Sequence, residues 1–193
     1  DLVLIYAPNF SLGLGLVIHI RTKIRYNYSY IESAALMING DILEVSSFGD
    51  YRLNGVGSAK IDTTSTVGPF PLTYKHVSDK EHIFEILVRG ANDEDEDDEE
   101  EKIRIRTFKD FVNVKFFHAS PKNYHDSVGL LGAYKNGIDS PDGIKTGDSV
   151  ARDGHTIIKD PVAFGMEWQV RPDQEPSLFD SNRLPIYPEQ CLM

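Results

Sequence analysis

Cysteine is nearly absent from this sequence: Cys191 is the only one. An internal disulfide and any cysteine-built zinc site are thereby excluded, and burial and hydrogen bonding must hold the fold. Cys191 sits third from the end of a proline-rich segment, without the fixed electropositive setting that activates a thiol. It reads as a leftover thiol, or as one half of a bridge to a segment outside the chain. No apolar run approaches the roughly 20 residues that a spanning helix requires, so no membrane span is expected. Catalytic signatures are missing as well. The six histidines (19, 76, 82, 118, 125 and 155) form no His-Glu-x-x-His pair, there is no Gly-x-Ser-x-Gly elbow, and no glycine-rich phosphate loop occurs. Acids are too many for a catalytic carboxylate pair to stand out. No enzyme is expected.

What is present is the composition of an ordinary folded domain. Hydrophobic residues make up 40% and charged residues 26% of 193, enough for a core without staples, since a chain of this length buries roughly 70% of its unfolded surface. The net charge of −10 comes from one place, the nine consecutive acids Asp93–Glu101; the rest carries 21 acids against 20 bases. A nearly neutral body offers no clustered cations for a phosphate backbone, so nucleic acid is not an expected partner. The run itself reads as a solvated, self-repelling hairpin loop. A cation sponge and a docking point for a basic partner are the sharper readings of the same residues.

The hydrophobic period is two. Leu16, Ile18 and Ile20 alternate with Val17, His19 and Arg21, and Ile103 and Ile105 alternate with Arg104 and Arg106, the pattern of half-buried strands. Further strands are expected at Leu2–Tyr6, Tyr28–Ile38, Ile42–Ser47, Leu72–Val77, His82–Val88 and Phe111–Phe117, all rich in residues that fit a pleated surface. Asn39-Gly40 and Asn54-Gly55 are hairpin signals, because both residue types tolerate positive φ. The fold class is therefore all-β, an antiparallel β-sandwich with a loop-rich C-terminal part. One short helix is expected near 160–168, with Asp160 as N-cap, Pro161 in the first turn and Gly165 limiting its length. Residues 171–193, with prolines at 172, 176, 185 and 188, read as an extended strap held by Leu178, Phe179, Leu184, Ile186 and Tyr187.

The most specific stretch is Val128-Gly-Leu-Leu-Gly-Ala-Tyr-Lys-Asn-Gly137, followed by Asp153-Gly154 and by Phe164-Gly-Met-Glu-Trp-Gln-Val170. It resembles the C-terminal half of von Willebrand factor type D domains, where Gly-Leu-Cys-Gly-Asn-Phe-Asn-Gly precedes an acidic loop, Asp-Gly and Phe-Gly-x-Ser-Trp-x-Val. The matching positions are Gly129, Leu130, Gly132, Asn136, Gly137, Asp153, Gly154, Phe164, Gly165, Trp168 and Val170. Leu131 stands where that family has a cysteine and Ala133 where it has asparagine. The family's opening Gly-Asp-Pro-His segment is absent and the chain begins at Asp1; a processed or excised product, and a fragment whose missing strand is supplied by something else, are both open readings. The likeness runs over residues 1–170 as a single domain and is nearest to cysteine-poor variants of algal secreted or surface proteins.

The resemblance implies a non-catalytic structural or interaction module, secreted or on a surface, acting in assembly or adhesion with other proteins. It also implies calcium. The loop from Asn136 to Asp148 gathers side-chain oxygens of the kind that calcium takes, and Asn136, Asp139, Asp142 and Asp148 are the candidate ligands; Asx turns account for the same residues. Two sequons, at Asn9 and Asn27, are candidate glycosylation sites. Trp168 is either core or a platform for sugar stacking, and Tyr26, Tyr28 and Tyr30, alternating along one strand, either pack under a loop or meet a partner. The alternatives are thus a carbohydrate-binding β-sandwich using those aromatics, or an accessory subunit of a larger complex.

Overall fold

Alternation decides the architecture. In the computed structural model, which describes residues 1–25, 28–89, 100–134, 149–171, 173 and 175–179, every second side chain of the central strands points into one shared core. Six strands form one antiparallel sheet: β1 (Leu2–Ala7), β2 (Leu16–Arg25), β3 (Tyr28–Ile38), β4 (Asp41–Ser46), β5 (Tyr51–Leu53) and β6 (Val56–Gly57), in that spatial order. The second sheet holds β7 (Thr66–Val67), β8 (Phe70–Ser78), β9 (Glu81–Arg89), β10 (Glu101–Phe108) and β11 (Phe111–Phe117), in the order β11-β10-β9-β8-β7. The chain is an all-β sandwich of two meanders, as the period of two requires. β5, β6 and β7 were not legible in the sequence, being two or three residues long.

The core lies between the sheets. Ile18, Leu36, Ile38 and Leu43 from one side meet Leu72, Phe84, Ile86, Ile103 and Ile105 from the other, all essentially buried. Full burial of each such side chain stabilises by about 1.5–3 kcal/mol. Both Asn-Gly pairs turn hairpins with positive φ at each residue: 50° and 87° at Asn39-Gly40, 51° and 80° at Asn54-Gly55. A third turn, at Phe10–Gly13 (α1), places Ser11 and Leu12 in the left-handed region, and α2 (Pro121–Tyr124) is a single turn capped by Ser120. The expected helix is α3 (Pro161–Glu167), with Asp160 Oδ1 accepting from the Ala163 N–H at 2.7 Å.

β1 ends its sheet but is not a bare edge. Its free side is taken by two segments from the far end of the chain. Tyr6 and Val128 exchange both backbone bonds (2.7 and 2.9 Å), Leu130 N–H donates to Val3 O, Val3 N–H to Trp168 O at 2.7 Å, and Val170 N–H to Asp1 O. This covering spares the unpaired N–H and C=O groups that make exposed edges hazardous. On the outer face of the same sheet, Leu178 and Phe179 are buried against Ala35, Val17, Met37 and Ile42. Its later anchors, Leu184, Ile186 and Tyr187, lie outside the described residues.

Candidate functional sites

The motif that carries the family resemblance forms a clasp. Gly129 has φ of 150° and lies so close to β1 that a Cβ there would strike the Leu4 carbonyl and the Ile5 Cα. Gly132 turns the chain with φ of 84°. Val3, Val128, Val150, Trp168 and Val170 form a small second core beneath. Trp168 is 1% exposed and its Nε1–H donates to Val150 O at 3.0 Å; the Arg152 guanidinium sits over its ring at 5.3 Å. Arg152 in turn donates to Glu167 O, Gln169 O and the Glu175 carboxylate. A sugar cannot stack on a ring enclosed in this way, so Trp168 leaves the candidate binding set. Burial wins because the indole has both an apolar surround and an internal acceptor.

Asp153, the other polar anchor of the motif, is used locally. Oδ1 accepts from the His155 and Thr156 N–H groups and Oδ2 from the Thr156 hydroxyl at 2.6 Å. These bonds hold its carboxyl down to about 2, chiefly through Thr156. Asx-turn chemistry accounts for it. The four candidate calcium ligands, Asn136, Asp139, Asp142 and Asp148, lie outside the described residues. Among the described residues no group of three or more His, Cys, Asp or Glu is arranged to hold a metal ion, and no helix is long and apolar enough to cross a membrane.

Of the tyrosine row, Tyr26 is outside the described residues, Tyr28 is exposed, and Tyr30 is half-buried with its ring 6.3 Å from that of Phe111. Of the sequons, Asn9 is exposed and donates to Asp126 Oδ2 at 3.4 Å, and Asn27 is not among the described residues.

The acidic run needs one correction. Glu101, its last member, is not loop but the first residue of β10, and its side chain is fully buried. Oε1 accepts from the Ser120 N–H at 3.1 Å and Oε2 from Asn123 Nδ2 at 2.9 Å, with Arg89 Nε at 3.9 Å. Burial pushes this carboxyl upward against those hydrogen bonds. The donors of the α2 turn explain why the strand can begin on an acid: they replace the water that the carboxylate gives up. The nearby Tyr124 hydroxyl is buried with no hydrogen-bond partner among the described residues, and desolvation raises it well above the usual phenol range.

The feature that sequence reasoning missed lies on the outer face of β10 and β11. The side chains alternating with Ile103 and Ile105 are Lys102, Arg104 and Arg106, and across the hairpin Lys115 and Asn113 face Arg104 and Arg106. Arg104, Arg106, Phe108, Phe111, Asn113 and Lys115 enclose a cleft of about 390 Å³. The signal was in the period itself: every outward position of KIRIR is a cation. No family model matches the chain, and no curated protein matches its sequence.

Proposed function

We propose that the chain is a non-catalytic structural or interaction module of an extracellular or cell-surface assembly, of the type D kind, stiffened by calcium. The observation that carries the reading is the use to which the motif is put. Gly129 and Trp168 are consumed in closing the clasp over β1 and its small core, and Gly132 and Asp153 in local turns beside it, which is what residues that hold a shape do. A turnover site instead needs titratable groups converging on an open cavity. One cleft among the described residues is bordered by Arg104, Arg106 and Lys115, and another by Glu44, Arg52, Leu178 and Phe179.

For calcium, the donor set is chemically suited: one amide oxygen and three carboxylates from Asn136, Asp139, Asp142 and Asp148 are hard oxygen ligands. Melting in excess calcium and in chelator tests this part; a rise of several degrees with calcium is expected, and superimposable melts refute it. Chemical cross-linking of the secreted or surface fraction tests the rest. Recovery in a high-mass assembly is the expected result, and recovery solely as a cytosolic monomer overturns the reading.

A further inference from the structure

The outward face of β9–β11 opposes the charge of the whole chain. Lys102, Arg104, Arg106 and Lys115 stand there against Glu81 and Glu85, on a protein of net charge −10. The cations are held, not waving. Arg104 donates to Glu85 through Nε (2.8 Å) and Nη2 (2.7 Å), and Arg106 Nη2 pairs with Glu81 at 2.6 Å. The Phe117 ring lies under Arg104 at 4.5 Å and under Lys115 at 4.8 Å. Lys115 has no carboxylate partner among the described residues. The far end of the cleft is apolar, where Phe108 and Phe111 meet edge to face at 5.6 Å, and Asn113 stands exposed between the two ends.

We propose that this cleft binds a sulfated polysaccharide, with sulfate ester oxygens on Arg104, Arg106 and Lys115, ring carbons against Phe108 and Phe111, and a sugar hydroxyl on Asn113. Three features select this ligand. The Nε–Nη2 edge of Arg104 is turned to one oxygen of Glu85 and Arg106 Nη2 to Glu81, so Lys115 and the outer guanidinium N–H groups are the donors left, spaced along the cleft as the successive sulfates of a polymer would need. The cleft runs from this cationic end to the Phe108–Phe111 pair, which suits an anionic group carried on a sugar ring; an acidic peptide read by the same Arg cluster is the competing occupant, and the poly-glutamate comparison decides between them. A neutral sugar would leave Lys115, which has no carboxylate partner among the described residues, still without one. The inference rests on the interaction-module reading only in taking the chain to be a binder.

Calorimetric titration of the full chain with dextran sulfate tests it, with neutral dextran and poly-glutamate as comparisons. Binding to dextran sulfate that weakens as salt rises is expected, with none to neutral dextran. Lys115→Ala should weaken binding about tenfold and Asn113→Ala about threefold, each at an exposed position where the melt is unchanged, as expected for one charge-assisted and one neutral hydrogen bond. Lys60→Ala, exposed and remote from the cleft, should change nothing. Absence of binding, equal binding of poly-glutamate, or a loss in Lys60→Ala as large as in Lys115→Ala overturns the proposal. None of these results bears on the cross-linking outcome, so the two readings fail separately.

Discussion

Gly129 and Leu4 meet main chain to main chain, with no room for a side chain between them. The contact joins the first strand to a segment some 125 positions later, and it explains why a glycine-dense motif belongs there: only glycine lets two backbones approach so closely at positive φ.

Gly129→Ala should therefore cost about 3 kcal/mol or more, since it adds a collision with backbone to an unfavourable φ. Gly165 makes the useful contrast. A Cβ there meets open space inside α3, so Gly165→Ala should gain about 0.5–1 kcal/mol from helix propensity. Urea unfolding of both variants checks the pair, and equal effects would remove the clasp argument.

Trp168→Phe should lower stability by about 2–3 kcal/mol, through the lost bond to Val150 O and the void left by the smaller ring. Because this is the sole tryptophan, its emission reports on the clasp directly. A blue-shifted native spectrum that moves red on unfolding is expected. A native spectrum like that of free indole in water would contradict its burial.

His19 gives a pH signature. Its imidazole is 1% exposed and Nδ1 accepts the Leu178 N–H at 3.3 Å; burial, the largest influence, lowers it from 6.5 to about 4. The neutral ring is the form the fold holds. The associated stability is complete above about pH 6.5 and is lost as pH falls towards 4, a change on the order of 3 kcal/mol. In His19→Gln the difference between unfolding midpoints at neutral pH and near pH 4.5 should shrink; an undiminished difference would place the acid sensitivity elsewhere.

Glu101→Ala should destabilise by about 2–4 kcal/mol, because it strands the Ser120 N–H and the Asn123 amide around an empty place. Shortening the run by deleting residues 93–99 removes seven acids without touching that network, and should leave the melting temperature within a few degrees. If both changes act alike, Glu101 is merely one more member of the acidic run.

Strands of six residues or more were legible because their residues fit a pleated surface over a length that admits one reading, and both Asn-Gly turns because positive φ restricts which residues can stand there. The clasp was legible as a motif but not as a pairing with β1, since hydrogen bonds between backbones 125 residues apart leave no trace in side-chain pattern. Trp168 admitted two readings until its Nε1–H was seen to reach Val150 O. Glu101 was misread for a related reason: in the sequence it continues a run of acids, while its partners, Ser120 and Asn123, lie beyond an entire hairpin. The cationic face was visible in KIRIRTF but was spent on identifying the strand.

The closure of β1 by residues 128–131 and 168–170 also fixes an order of events during synthesis. The first strand leaves the ribosome with one side able to pair at once with β2, and the other side waiting for more than a hundred further residues to be translated. Until they arrive, a hydrogen-bonding margin stands open to any neighbouring nascent chain. The clasp can be seated only after residue 170 has been made, and slowing translation past residue 130 would lengthen the interval in which that margin stands open.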